Sequence, residues 1–160
     1  MNSWLAGVAV RSSRDCYEQV SHCLADTALQ DSVLTVENRQ LTAKALAGSV
    51  VWFDFATLCG GPRSQNDYLE LAGRFHAIIL SDVPRMSARQ SSEARRFTWL
   101  VDVLYDRRVK LIISAAVPPE ALYWQVPMAH EFPRTISRLH EMQSSEFLAL
   151  EHRTVDTHLT

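Results

Sequence analysis

Only three cysteines occur in 160 residues, and no two of them stand in Cys-x-x-Cys spacing. That scarcity argues against a disulfide framework and a zinc knuckle, so Cys16, Cys23 and Cys59 read as reduced thiols. Surplus positive charge is also lacking: sixteen Lys and Arg against eighteen Asp and Glu leave a formal net charge of -2. No global basic field is available to hold DNA or RNA, and no nucleic-acid partner is expected. Long hydrophobic runs are missing as well. The stretch from Val109 to Pro119, with Lys110 inside it, falls well short of the ~20 residues that cross a bilayer, so no membrane span is expected. Met1 to Val10 has no Lys or Arg ahead of its short apolar run, so it does not read as a signal peptide, and the cytoplasm is the expected location. The six histidines are scattered without helix-face ligand spacing and a matching acid, so no metal site is expected. Gly-Lys followed by Ser or Thr occurs nowhere in the chain, which excludes a Walker A phosphate loop within these residues.

What is present is the composition of a folded domain, with 47% hydrophobic and 21% charged residues. The chain divides into an N-terminal helical segment (residues 1–32), an α/β region (33–152) and a polar tail (153–160). Tyr17, Val20, Cys23, Leu24 and Leu29 recur at roughly helical spacing and predict a helix over Asp15 to Leu29. Val33 to Val36, the polar turn Glu37, Asn38 and Arg39, and Gln40 to Ala45 predict a β-hairpin. Ser49 to Ala56, rich in β-branched and aromatic residues, reads as a buried strand, and a capped helix should begin near Asn66. Ala77 to Val83 reads as a strand stopped by Pro84, and Lys110 to Ala116 as another ended by Pro118 and Pro119. Between them, Phe97, Leu100, Val101 and Leu104 stand at i, i+3, i+4 and i+7 and mark an amphipathic helix. A last helix is predicted from about Thr135 to His152. Strand, helix, strand repeated twice implies an α/β fold: a partly parallel sheet with βαβ crossovers, an N-terminal hairpin and a C-terminal helix.

Several residues invite a chemical reading. Cys59 precedes a glycine loop and a helix start, where a thiol pKa can fall. A phosphatase loop would need Arg six positions after it, yet Gln65 stands there, and a buried apolar thiol is the plainer alternative. Gly60, Gly61 and Arg63, ahead of the helix near Asn66, form a possible anion loop, against the plainer reading of a turn. Arg95 and Arg96 open the amphipathic helix, where positive charge opposes the helix dipole and a carboxylate or phosphate would relieve it; solvated surface arginines are the alternative. Asp82 and Asp102 serve equally well as a turn residue and a solvated helix residue, and His140 and Glu141 as helix surface. No catalytic residue is assigned.

In order and spacing, Trp52 to Phe55, then Leu58, Cys59, Gly60, Gly61, Pro62 and Arg63, then Asp67, Tyr68 and Leu69 form one signature. Leu80 to Pro84 continues it, followed by Arg95, Arg96, Phe97, Leu100, Val101, Asp102, Leu104, Tyr105 and Asp106, and Val109 to Leu111. Glu131, Phe132, Arg134, Thr135, Ser137, Arg138, Leu139 and Glu141 to Ser144 close it. Together these segments resemble the C-terminal part of the ZapE-like, AFG-type family of P-loop ATPases, which are similar to AAA+ proteins. The resemblance implies part of a P-loop ATPase-like fold and, for the intact bacterial protein, a cytoplasmic ATPase acting with FtsZ at the division ring. It implies ATP and Mg²⁺ as ligands of that intact protein and none for this chain alone, whose Walker A and Walker B segments are expected in a missing N-terminal portion. It also makes Arg95 and Arg96 candidates for nucleotide sensing. A non-catalytic module that binds FtsZ or another protein through Arg134 to His152 or a sheet edge is the alternative, and a small thiol enzyme using Cys59 a third.

Overall fold

The computed structural model describes residues 32–125 and 131–153. The helix expected over Asp15 to Leu29, and all but the first residue of the polar tail, lie outside the described residues.

Strands β1 (Ser32–Val36) and β2 (Arg39–Ala43) pair antiparallel. Leu34, Val36, Leu41 and Ala43 are buried while Val33, Thr35, Gln40 and Thr42 are exposed, the period-two pattern of a half-buried hairpin. Only Glu37 and Asn38 form the turn, both at positive φ (47° and 62°), as a two-residue type I′ connection requires. Arg39, expected in the turn, is therefore the first residue of β2.

Four further strands build the main sheet: β3 (Ala45–Ala47), β4 (Val50–Asp54), β5 (Ala77–Val83) and β6 (Lys110–Ala115), in the spatial order β3-β4-β5-β6. β3 is antiparallel to β4, and β4, β5 and β6 run parallel. Both parallel connections step the same way across the sheet, so right-handed crossovers put their helices on one face. Those helices are α2 (Gln65–Arg74) and α3 (Ser91–Asp106), and α1 (Phe55–Cys59) leads out of β4. Val51, Phe53, Ile78, Leu80, Leu111 and Ile113 point from the sheet into the core that Tyr68, Leu71, Phe97, Leu100 and Leu104 complete. On the opposite face, Trp52 Nε1 donates to Ser81 Oγ (2.9 Å), Ser81 donates to Asp54 (2.9 Å), and Lys44 pairs with Asp54 (2.9 Å).

The strand expected to reach Ala56 ends at Asp54, and Phe55 starts α1 instead. The helical turn keeps Phe55 buried and brings Leu58 and Cys59, three and four residues on, to the same face. The amphipathic helix begins at Ser91, behind a 3₁₀ turn over Ala88–Gln90, so Arg95 and Arg96 stand in its second turn rather than at its start. The dipole conflict expected of them is accordingly small, since that field fades beyond the first turn. The C-terminal helix divides into α4 (Phe132–Glu141) and α5 (Ser145–Leu148), and Ser144 caps the second by accepting from the Phe147 N–H (3.1 Å). In one straight helix the five-residue step from Met142 to Phe147 would turn the two side chains about 140° apart. The break lets both be buried.

Candidate functional site

Arg63, from the loop between α1 and α2, meets the first half of α3 across a cavity of about 250 Å³. Ser91, Ser92, Arg95, Arg96 and Trp99 form the other walls. Within α3 the pairs Ser91/Arg95 and Ser92/Arg96 are four apart and Trp99 follows at the next turn, so one helical stripe supplies all five. Two of the arginines are fixed by backbone: Arg96 Nη1 donates to the Cys59 carbonyl (3.0 Å), and Arg63 reaches the carbonyls of Thr57 and Pro62 (both 3.4 Å). Arg63 Nε is buried with no acceptor. Among the described residues the ion pairs are Arg39–Asp67, Lys44–Asp54, Arg138–Asp102 and His140–Glu120, so none of the three cavity arginines has a carboxylate partner. Three uncompensated guanidiniums around one small space favour an anion there, and their planar forks suit the oxygens of phosphate.

The structure thus brings Arg63 to Arg95 and Arg96, while Gly60 and the start of α2 have partners within the chain. The Gly60 N–H donates to the Ala56 carbonyl (3.1 Å), and a Cβ on Gly60 would lie 2.4 Å from that oxygen, so the glycine serves the exit from α1. The N-terminus of α2 holds an anion of its own. Ser64 and Asp67 form a capping box, with the buried Asp67 carboxylate accepting from the Ser64 N–H (2.6 Å) and from Arg39 (3.2 Å). Ser91, Ser92 and Trp99 were not singled out by sequence; their i, i+4 spacing to the arginines becomes readable once the helix is known to start at Ser91.

Cys59 stands at the end of α1, not of a strand, and is fully buried. Burial pushes its thiol up to about 12, against the opposing pull of the Tyr68 hydroxyl and of Arg96 and Arg63. Tyr68 itself donates to the Leu58 carbonyl (3.0 Å) and is shifted upward by the same burial. A protonated, enclosed sulfur is not a nucleophile. In the native chain at pH 8 the Cys59 peptide is expected to stay unmodified by iodoacetamide over hours and to label fully in denaturant, read by mass spectrometry; native labelling within minutes would contradict the burial. The sign for stability follows: the unfolded thiol ionises near pH 9 and the folded one near 12, so this stabilisation is whole below pH 9 and lost as pH rises towards 12. Cys59→Ala should flatten that alkaline decline.

Asp102 pairs with Arg138 on α4, and Asp82 sits exposed at positive φ (61°) where the register between β5 and β6 shifts. His140 pairs with Glu120 (2.5 Å), and Glu141 accepts from the Tyr105 hydroxyl (2.6 Å). Among the described residues no cluster of His, Cys, Asp and Glu is placed to hold a metal ion, and no helix is long and apolar enough to cross a membrane.

The sequence model of the AFG1-like ATPases matches residues 4–151. Cell division protein ZapE of Escherichia coli K12 is 44% identical over 119 residues, 74% of this chain and 32% of that protein. An uncharacterised protein of Schizosaccharomyces pombe is 42% identical over 102 residues, 64% of this chain and 22% of its own length. Lactation elevated protein 1 homolog B of Danio rerio is 30% identical over 147 residues, covering 72% of this chain and 29% of that protein. The chain therefore spans less than a third of the length of these relatives. No solved structure matches. The mixed sheet with its parallel crossovers is consistent with a P-loop ATPase-like fold, and the chain belongs to the AFG1-like ATPase family.

Proposed function

We propose that this chain is the C-terminal portion of a ZapE-like ATPase, a regulator of the bacterial division ring, and that it does not hydrolyse ATP by itself. The observation that carries the reading is the cavity of Arg63, Arg95 and Arg96, three guanidiniums with no carboxylate partner among the described residues. In the intact protein ATP and Mg²⁺ are held by Walker A and Walker B segments, and Arg95 and Arg96 sense the phosphate of that nucleotide. The 44% identity to a cell division protein supports the cellular role; the cytoplasm as location and FtsZ as partner are part of the same proposal. Inactivity of the chain alone follows from chemistry: no Gly-Lys-Ser/Thr occurs in its sequence, and phosphoryl transfer depends on positioned phosphate and Mg²⁺.

ATP turnover by residues 1–160 is expected at the level of a protein-free blank. Turnover that co-elutes with the folded chain on a sizing column would overturn the inactivity. Immobilised chain is expected to retain purified FtsZ, and retention no greater than by bare beads would remove FtsZ as its partner.

A further inference from the structure

We propose that the cavity of Arg63, Arg95 and Arg96 is a phosphate-group site that this chain completes on its own, with Arg63 as its third contacting arginine. It takes a terminal phosphate or diphosphate group rather than a whole nucleotide. The inference rests on the reading that Arg95 and Arg96 face a phosphate, and it adds the ligand class and the residue from the distant loop.

Volume decides the ligand class first. At about 250 Å³ the space between the walls lies below the ~300 Å³ at which pockets for drug-sized molecules begin, a size that suits one or two phosphate groups. Charge decides its sign: among the described residues no acidic side chain lines the cavity, and the three guanidiniums repel one another until an anion separates them. Donor geometry decides its shape. Arg95 has no partner among the described residues, Arg96 spends one terminal nitrogen on the Cys59 carbonyl, and Arg63 keeps a buried Nε with no acceptor. Each arginine carries five N–H donors in a planar fork, so the trio retains donors enough for several tetrahedral oxygens. Hydroxyls of Ser91 and Ser92 add rotatable donors on the same helical face. The carbonyls of Thr57 and Cys59 hold Arg63 and Arg96 in place before any ligand arrives, which lowers the ordering cost of binding. Trp99 forms one wall with its large aromatic side chain.

The test is titration of inorganic pyrophosphate into the full chain by calorimetry, with the side-chain Nε–H resonances of ¹⁵N-labelled arginine followed in parallel. Saturable one-site binding is expected, with the Arg63 resonance moving on saturation. Arg63→Ala and Arg95→Ala should each weaken it about tenfold or more, as befits loss of a charged hydrogen-bond donor. Arg95→Lys, which keeps the charge and loses the fork, should fall between. Absence of saturable binding at low ionic strength overturns the proposal, as does undiminished affinity in Arg63→Ala and Arg95→Ala variants that circular dichroism shows to be folded. Adenosine is expected not to displace pyrophosphate, and ADP to bind within about threefold of it; displacement by adenosine, or ADP binding more than tenfold tighter, would refute the phosphate-only site. Pyrophosphate binding that needs Arg95 here, together with unchanged ATP turnover in an intact relative lacking the aligned arginine, would uphold this site and remove nucleotide sensing. The two readings therefore fail separately.

Discussion

Phe97→Ala is expected to lower the unfolding free energy by about 3–5 kcal/mol. Phe97 is fully buried in α3, its ring 6.2 Å from that of Phe55 and 6.3 Å from that of Tyr123 at tilted angles. It packs where three parts of the chain meet: α1, the centre of α3 and the segment after β6. Truncation removes the largest apolar side chain at that junction and leaves a cavity that backbone from three directions cannot readily fill. Natural domains have a margin of roughly 5–15 kcal/mol, so the change would take about a fifth of it or more. Urea unfolding followed by tryptophan fluorescence should show an earlier midpoint with an unchanged slope, and Phe97→Leu should cost far less. A loss under about 1 kcal/mol for the alanine variant would mean that the α1–α3 contact is not a core contact.

The elements most fully readable in the sequence are those whose burial follows a single period. Ala77–Val83 is bounded by Pro84 and is found as expected, and the β1–β2 hairpin announces itself by alternation and by Asn38 in its turn. Boundaries went astray where the pattern changes period or falls silent. Phe55 satisfies alternation with Phe53 and also the i, i+3, i+4 pattern with Leu58 and Cys59; the structure chooses the helix because it buries all three. The start of α3 carries Ser91, Ser92 and Glu93, with no apolar side chain for periodicity to catch before Ala94. At the far end, Met142 and Phe147 are both buried only because the helix breaks between them.

The candidate site was half legible for a different reason. Arg95 and Arg96 stand out as adjacent charges on an amphipathic helix, and Arg63 as a charge in a glycine loop, but nothing local connects the two. The connection is topological: the crossover through α2 returns the chain to β5 and sends α3 back over the same face, so the Arg96 guanidinium reaches the carbonyl of a residue 37 positions earlier. Asp67 shows the opposite case. Its place three residues after Ser64 makes the capping box readable, and that box occupies the helix N-terminus that the possible anion loop would have used.

In an intact relative, replacing the residues aligned with Arg95 and Arg96 by Ala is expected to reduce kcat/KM for ATP by about a hundredfold or more. The expectation comes from how the two differ in this structure. Arg96 is half-buried and tied to the Cys59 carbonyl, so its charge is held at a fixed point beside α1; Arg95 is exposed to the cavity and has no partner among the described residues. A group that senses phosphate must gain a partner when nucleotide is bound, and Arg95 has the most to gain. Substitution at Arg95 should therefore act on turnover with little effect on folding, whereas substitution at Arg96 should add a modest loss of stability from the broken link to α1. Lys at the first position should restore part of the rate through charge alone, because the bidentate fork is lost. Thermal unfolding of each variant beside its ATP kinetics separates the effects. Turnover unchanged in both alanine variants would take these arginines out of the nucleotide cycle, and a rate loss matched by an equal loss of folded protein would make their role structural.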